Sequence, residues 1–144
     1  MKRIVQISGM LLVALLMVGC ASAERAVDEP LVNTYWRLTH LGDAPVTVVE
    51  QQREAHFVLH IDDQRVMGST GCNRMTGRYR LAGDALSFEQ LASTRMACTE
   101  GMQTERAFLD ALDRVAEWRV AGQQLTLIDA EGEVLARLEA VHLT

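Results

Sequence analysis

The chain has 144 residues, 14 of them basic and 19 acidic, for a formal charge of −5 and a sequence pI of about 5.3. Without Lys2 and Arg3 the 14 basic residues fall to 12, all arginines, and the charge to −7. Net acidity without a basic stripe excludes phosphate-led nucleic-acid binding and electrostatic adhesion to anionic lipid.

The first element, residues 1–19, is a charged start followed by an apolar run densest from Met10 to Val18. That run is short of the roughly 20 residues a membrane-crossing helix needs, and it has the form of a secretory signal peptide. It ends in "LMVGC", residues 16–20, which resembles the bacterial lipobox whose cysteine is lipidated and becomes the new N-terminus. Val18 and Gly19 fit that pattern, while Met17 stands where leucine is usual. Ala21-Ser22-Ala23 offers ordinary signal peptidase an alternative site, which would leave a soluble periplasmic protein. A cysteine directly after the apolar run favours lipidation at Cys20, and the several acyl chains of a bacterial lipoprotein satisfy the two-signal rule for firm anchoring. Ala21 in place of aspartate resembles the sorting pattern for the outer membrane, with the domain facing the periplasm. The membrane is then a partner only through the anchor.

Residues 20–32 are the anchored cysteine and a small, charged tether ending in Asp28-Glu29-Pro30. Residues 33–144 form one domain, and the 125 residues from Cys20 onward suffice for a single core. From "NTYWRLTHL" (33–41) period-two alternation keeps returning. Phe57, Leu59 and Ile61 alternate with His56, Val58 and His60; Tyr79 and Leu81 with Arg78 and Arg80. Leu86 and Phe88 flank Ser87, Trp118 and Val120 flank Arg119, and Leu125 and Leu127 flank Thr126. Such alternation predicts strands with one buried and one wet face. Turn residues separate them at Asp62-Asp63, Ala82-Gly83-Asp84, Ala121-Gly122 and Ala130-Glu131-Gly132. In "TEGMQTERAFLDALDRVAEW" the spacing of Met102, Phe108, Leu109, Leu112 and Val115 predicts a helix, with Thr99 as N-cap and Glu100 in its first turn. The fold class is mainly β with one helix: an antiparallel, barrel-like meander of about eight strands with the helix packed against it. Trp36, Tyr79, Phe88, Phe108 and Trp118 are its expected core anchors.

Cys72 and Cys98 are the only cysteines of the folded domain, and export takes them to an oxidising compartment. An even number there predicts a disulfide, with free buried thiols as the alternative. Closing a loop of about 26 residues contributes roughly 3–3.5 kcal/mol in the chain-entropy account. A metal site is not expected, because C-x-x-C is absent and His56 and His60 lie ~13 Å apart on a strand. No base stands near Cys72 in sequence to activate a thiolate, and neither a phosphate loop nor a serine elbow is present. In "GSTGCNRMTGRY" (68–79) the glycines and Asn73 suit a backbone corner, which Cys72 clips to the segment before the helix. Arg78 and Arg80 share a strand face with Arg74 in the preceding turn, a patch that is either solvated or open to an anion or acidic partner.

Gly68, Gly71-Cys72-Asn73, Gly77 and Tyr79, then Thr94-Arg95-Met96-Ala97-Cys98, Glu105 and Leu112, resemble the META domain family of HslJ-like, heat-shock-inducible envelope lipoproteins. Trp36-Arg37-Leu38 resembles its opening strand, and Leu125-Thr126-Leu127 with Gly132 its closing hairpin, so the likeness covers residues 33–139. It implies a β-rich, barrel-like domain with one helix, secreted or lipid-anchored and linked to stress tolerance. It carries over no catalytic residue, cofactor or metal. Gly71, Cys72, Asn73, Gly77, Thr94, Met96 and Cys98 come across as signature positions with a structural role. The expected function is a non-enzymatic envelope module, monomeric and contacting an envelope protein not yet named; a periplasmic small-ligand-binding barrel is the alternative.

Overall fold

Alternation becomes strand in nearly every place the sequence shows it. The computed structural model describes residues 26–142; the signal peptide, Cys20 and the start of the tether lie outside the described residues. β1 (Tyr35–Leu41) turns Trp36 and Leu38 inward, and β2 (Ala44–Pro45) is a two-residue arm folded back on its end. β3 (His56–His60), β4 (Arg65–Ser69), β5 (Arg74–Ala82) and β6 (Ala85–Ser93) follow as an antiparallel meander. The helix α1 (Met102–Asp113) comes next, then β7 (Val115–Ala121), β8 (Gln124–Asp129) and β9 (Val134–Val141). Pairing of β1 with both β3 and β9 closes the sheet into a ring, with β2 hanging on β1. Every pairing is antiparallel.

The inward residues fill the ring. Trp36, Phe57, Leu59, Val66, Phe108, Leu112, Leu125, Leu127 and Leu138 are wholly buried, and Phe57 meets Phe88 edge-on with ring centroids 5.6 Å apart. The chain joins this packing earlier than the expected tether allows. Gly122 N donates to Asp28 Oδ1 at 2.7 Å, Glu29 N to Gly122 O at 2.9 Å, and Trp36 Nε1 to the carbonyl of buried Leu31 at 2.9 Å.

Four expectations are corrected. Ile61 lies beyond the end of β3, 56 % exposed, because Asp62-Asp63 begins the turn there. His56 lies on the outer face of β3 yet is buried, since Tyr35 stacks on it with centroids 4.2 Å apart. Trp118 is half-buried rather than a core anchor, and its Nε1 donates to Gly83 O at 2.9 Å. The helix starts at Met102, with left-handed Gly101 (φ 86°) at its cap, instead of at Thr99, and Val115 opens β7. A side-chain cap is worth about 1 kcal/mol. Burying Phe108 and Leu112 contributes about 1.5–3 kcal/mol each, so packing sets where this helix runs.

Candidate functional site

The corner between β4 and β5 is built from the signature residues. Gly71 takes φ 104°, a backbone state that side chains disfavour, and turns the chain so that Cys72 and Asn73 face the segment before α1. Cys72 and Cys98 form a disulfide with Cα atoms 6.1 Å apart. Beside it, Asn73 is 2 % exposed and uses both ends of its amide. Its Oδ1 accepts from Met96 N at 2.8 Å and Thr94 Oγ1 at 2.9 Å. Its Nδ2 donates to Glu105 Oε2 at 2.8 Å and Met96 O at 3.2 Å. Thr94 Oγ1 in turn accepts from Arg74 N at 3.1 Å. One amide thus ties β5, residues 94–96 and α1 together.

Two members of this clamp had no role assigned from sequence. Thr70 Oγ1 donates to Glu105 Oε2 at 2.8 Å and accepts from Asn73 N at 3.2 Å. Glu105 lies buried on the inner side of α1, a position that apolar periodicity alone would reserve for a hydrophobe. The cue was Thr70 and Glu105 flanking the motif, but their contact depends on the closed fold. Gly77 has its own reason: a Cβ there would lie 2.9 Å from Leu91 Cδ2 and 3.0 Å from Glu89 O, where β6 bulges. Met96 enters the clamp through its backbone, and its side chain remains 58 % exposed.

The arginines contribute no side chain to this corner, which Arg74 joins only through its backbone N–H. Arg74 is the first residue of β5 rather than part of a turn, so Arg74, Arg78 and Arg80 share the outer face of one strand. Arg80 Nε meets Glu89 Oε1 at 2.6 Å. Register adds Arg65, directly opposite Arg78, which strand alternation alone could not reveal.

The groups able to do chemistry are otherwise engaged or dispersed. Burial lowers the pKa of His56, whose Nδ1 lies 3.0 Å from Glu54 O. Tyr35, stacked on it, is pushed up to about 12 by burial and by Glu54. Among the described residues no three His, Cys, Asp or Glu side chains converge as a metal cage. A depression of about 660 Å³ over Arg78–Ala82 and Ala85–Ser87 opens to solvent. A crevice of about 20 Å³ beside Thr70 and Gly71 has room for about one water. No helix among the described residues is long and apolar enough to cross a membrane.

Comparison with protein families matches residues 29–142 to the META domain. Heat shock protein HslJ of Escherichia coli (strain K12) is 26 % identical over 137 residues, covering 92 % of this chain and 95 % of that protein. An NMR structure of a protein from Burkholderia xenovorans matches with a TM-score of 0.65 at 31 % identity, covering 78 % of this chain and 85 % of that one. A second NMR structure matches at 25 % identity and a TM-score of 0.59, covering 74 % and 89 %.

Proposed function

The chain belongs to the META domain family, and from that premise we propose that it is a non-enzymatic lipoprotein module of the cell envelope, acting in stress tolerance through protein contacts. The observation that carries this reading is the use made of the signature residues. Cys72 is in a disulfide, and Thr70, Asn73, Thr94 and Glu105 hydrogen-bond to one another, so the motif with the most reactive side chains builds a corner. Function then falls to the outer surface. A small-ligand barrel would need an interior cavity of some 300 Å³ or more, whereas Trp36, Phe57, Phe108 and leucines fill this ring. Likeness to a heat shock protein supports the stress role.

The anchor reading rests on "LMVGC" and carries its own test. Intact mass of the membrane-extracted protein is expected to give a chain beginning at Cys20 with acyl additions. An unmodified N-terminus at Glu24 would replace the outer-membrane lipoprotein by a soluble periplasmic protein. For the role itself, in-cell crosslinking during heat or antibiotic stress is expected to capture envelope proteins reproducibly. Co-purification of a small molecule without any protein capture would overturn the module in favour of the ligand-binding barrel.

A further inference from the structure

Strand register arranges the outer face of β3–β6 in rows. Val58, Met67, Thr76 and Ala92 form a central row, apolar but for the Thr76 hydroxyl. On one side of it lies Arg74, on the other the row of His60, Arg65, Arg78 and Glu89. Met67 is 48 % exposed at the centre, in a groove of about 470 Å³ bordered by Arg74, Thr76, Ala92 and Thr94.

The charges on this face are unbalanced in a particular way. Arg65 and Arg78 are direct cross-strand partners, an arrangement that destabilises a sheet. Arg65 reaches Asp63 at 3.7 Å. Glu89 stands opposite Arg78 in register, yet its carboxylate is held by Arg80 at 2.6 Å. Among the described residues, neither Arg74 nor Arg78 has a carboxylate within 4.0 Å. The two unpaired arginines therefore flank the apolar row. Four residues apart on one strand, they are separated by ~13 Å along it.

We propose that this face docks an acidic, extended segment of a partner protein. Two carboxylates ~13 Å apart pair with Arg74 and Arg78, while an apolar side chain between them occupies the groove at Met67. This rests on the contact-module reading and names the partner's chemistry. The planar guanidinium fork suits a carboxylate in two-point contact. Phospholipid headgroups are also anionic, but they have no use for the apolar row.

The test titrates the mature protein with the capped peptide Ser-Glu-Thr-Leu-Thr-Glu-Ser, which in extended form has the required spacing, while following methionine methyl signals by NMR. The Met67 methyl is expected to shift. Affinity is expected to fall about tenfold or more in the Arg74→Gln/Arg78→Gln double variant, and likewise when the peptide's glutamates become glutamines. Arg119→Gln, on β7, is expected to change nothing. Both substituted arginines are exposed and unpaired, and Arg78→Gln removes the repulsion from Arg65, so a melting temperature no lower than the parent's checks that the variant folds. No Met67 shift at millimolar peptide, or equal affinity in the double variant, overturns the proposal. So does arginine-dependent binding of phosphatidylglycerol vesicles in place of the peptide. In cells, a photo-crosslinker at Met67 is expected to capture a protein only when Arg74 and Arg78 are intact. Capture from Gln124 but not from Met67 overturns this face and leaves the contact module standing; capture from neither also overturns this face.

Discussion

Asn73 shows how much one buried side chain can hold. Replacing it with alanine removes four side-chain hydrogen bonds and leaves Glu105 and the Met96 backbone short of partners inside the protein. Each buried polar group so orphaned costs about 1–3 kcal/mol, so Asn73→Ala is expected to lose at least about 3 kcal/mol in urea unfolding. Asn73→Asp is expected to be worse at neutral pH, because it sets a second carboxylate against Glu105, and to recover towards the alanine variant as pH falls. A loss below about 1 kcal/mol for alanine would mean that the corner stands without its clamp. Asn73 was legible as a turn residue in the sequence; its four hydrogen bonds were not, because Met96 and Glu105 reach it only once distant segments close. His56 is a second case. Its alternation position predicts a wet side chain, and only the return of β1 lays Tyr35 over it. Burial holds its folded pKa below the ordinary 6.5, so the unfolded chain binds the proton first. The stabilisation is complete above 6.5 and is lost as pH falls from there towards the folded value. His56→Phe keeps a ring against Tyr35 and removes the titration, so melting curves between pH 7 and 5 are expected to flatten in the variant. An unchanged slope would assign the acid sensitivity to other groups.

Between residue and fold lies the strap from Thr94 to Gly101, which joins β6 to α1 without being either. Its course explains why the helix begins late. Cys98 is bound to Cys72, Met96 is held on both backbone groups by Asn73, and Gln52 Nε2 donates to Glu100 O at 2.9 Å. A helix starting at Thr99 would have to give up that course, and Gly101 makes the turn instead. Periodicity revealed the helix's buried face but could not reveal a start set by a crosslink to another element. The strands were more legible, because alternation and turn residues are local, whereas register is not. Hence Arg78 and Arg80 could be placed on one face from sequence, while Arg65 joined them only through pairing. Opening the disulfide, by reduction or by Cys72→Ala/Cys98→Ala, is expected to lower stability by roughly 3–3.5 kcal/mol. Both the disulfide and Asn73 fasten the same strap, so their losses are not independent. A double-mutant cycle is expected to give a coupling of at least about 0.5 kcal/mol. Strict additivity would show that the two fastenings act on separate parts of the molecule.

At the scale of the whole molecule, the ring is strong on one side and thin on the other. β1 and β9 share six paired positions, as do β7 and β8. β6 and β7, by contrast, are paired only at Ala85 and Glu117, with Trp118 N donating to Asp84 O at 3.0 Å beside them. The interval between these strands in sequence holds the strap and α1, so the chain must leave the ring there and re-enter it. Beyond that single position no strand among the described residues pairs with the edge of β6 away from β5. Backbone groups in a ladder alternate in direction, so successive β6 amides face β5 and then the seam. Amide hydrogen exchange is therefore expected to alternate along β6, slow where the N–H points to β5 and fast where it points to the seam. In β8 and β9, flanked by strands on both sides and carrying wholly buried Leu125, Leu127 and Leu138, exchange is expected to be uniformly slow. Uniform protection along β6 would mean that α1 and the strap seal the edge as well as a strand would. Alternation would locate the ring's weakest closure at the β6–β7 seam, with the Cys72–Cys98 strap as the covalent tie beside it.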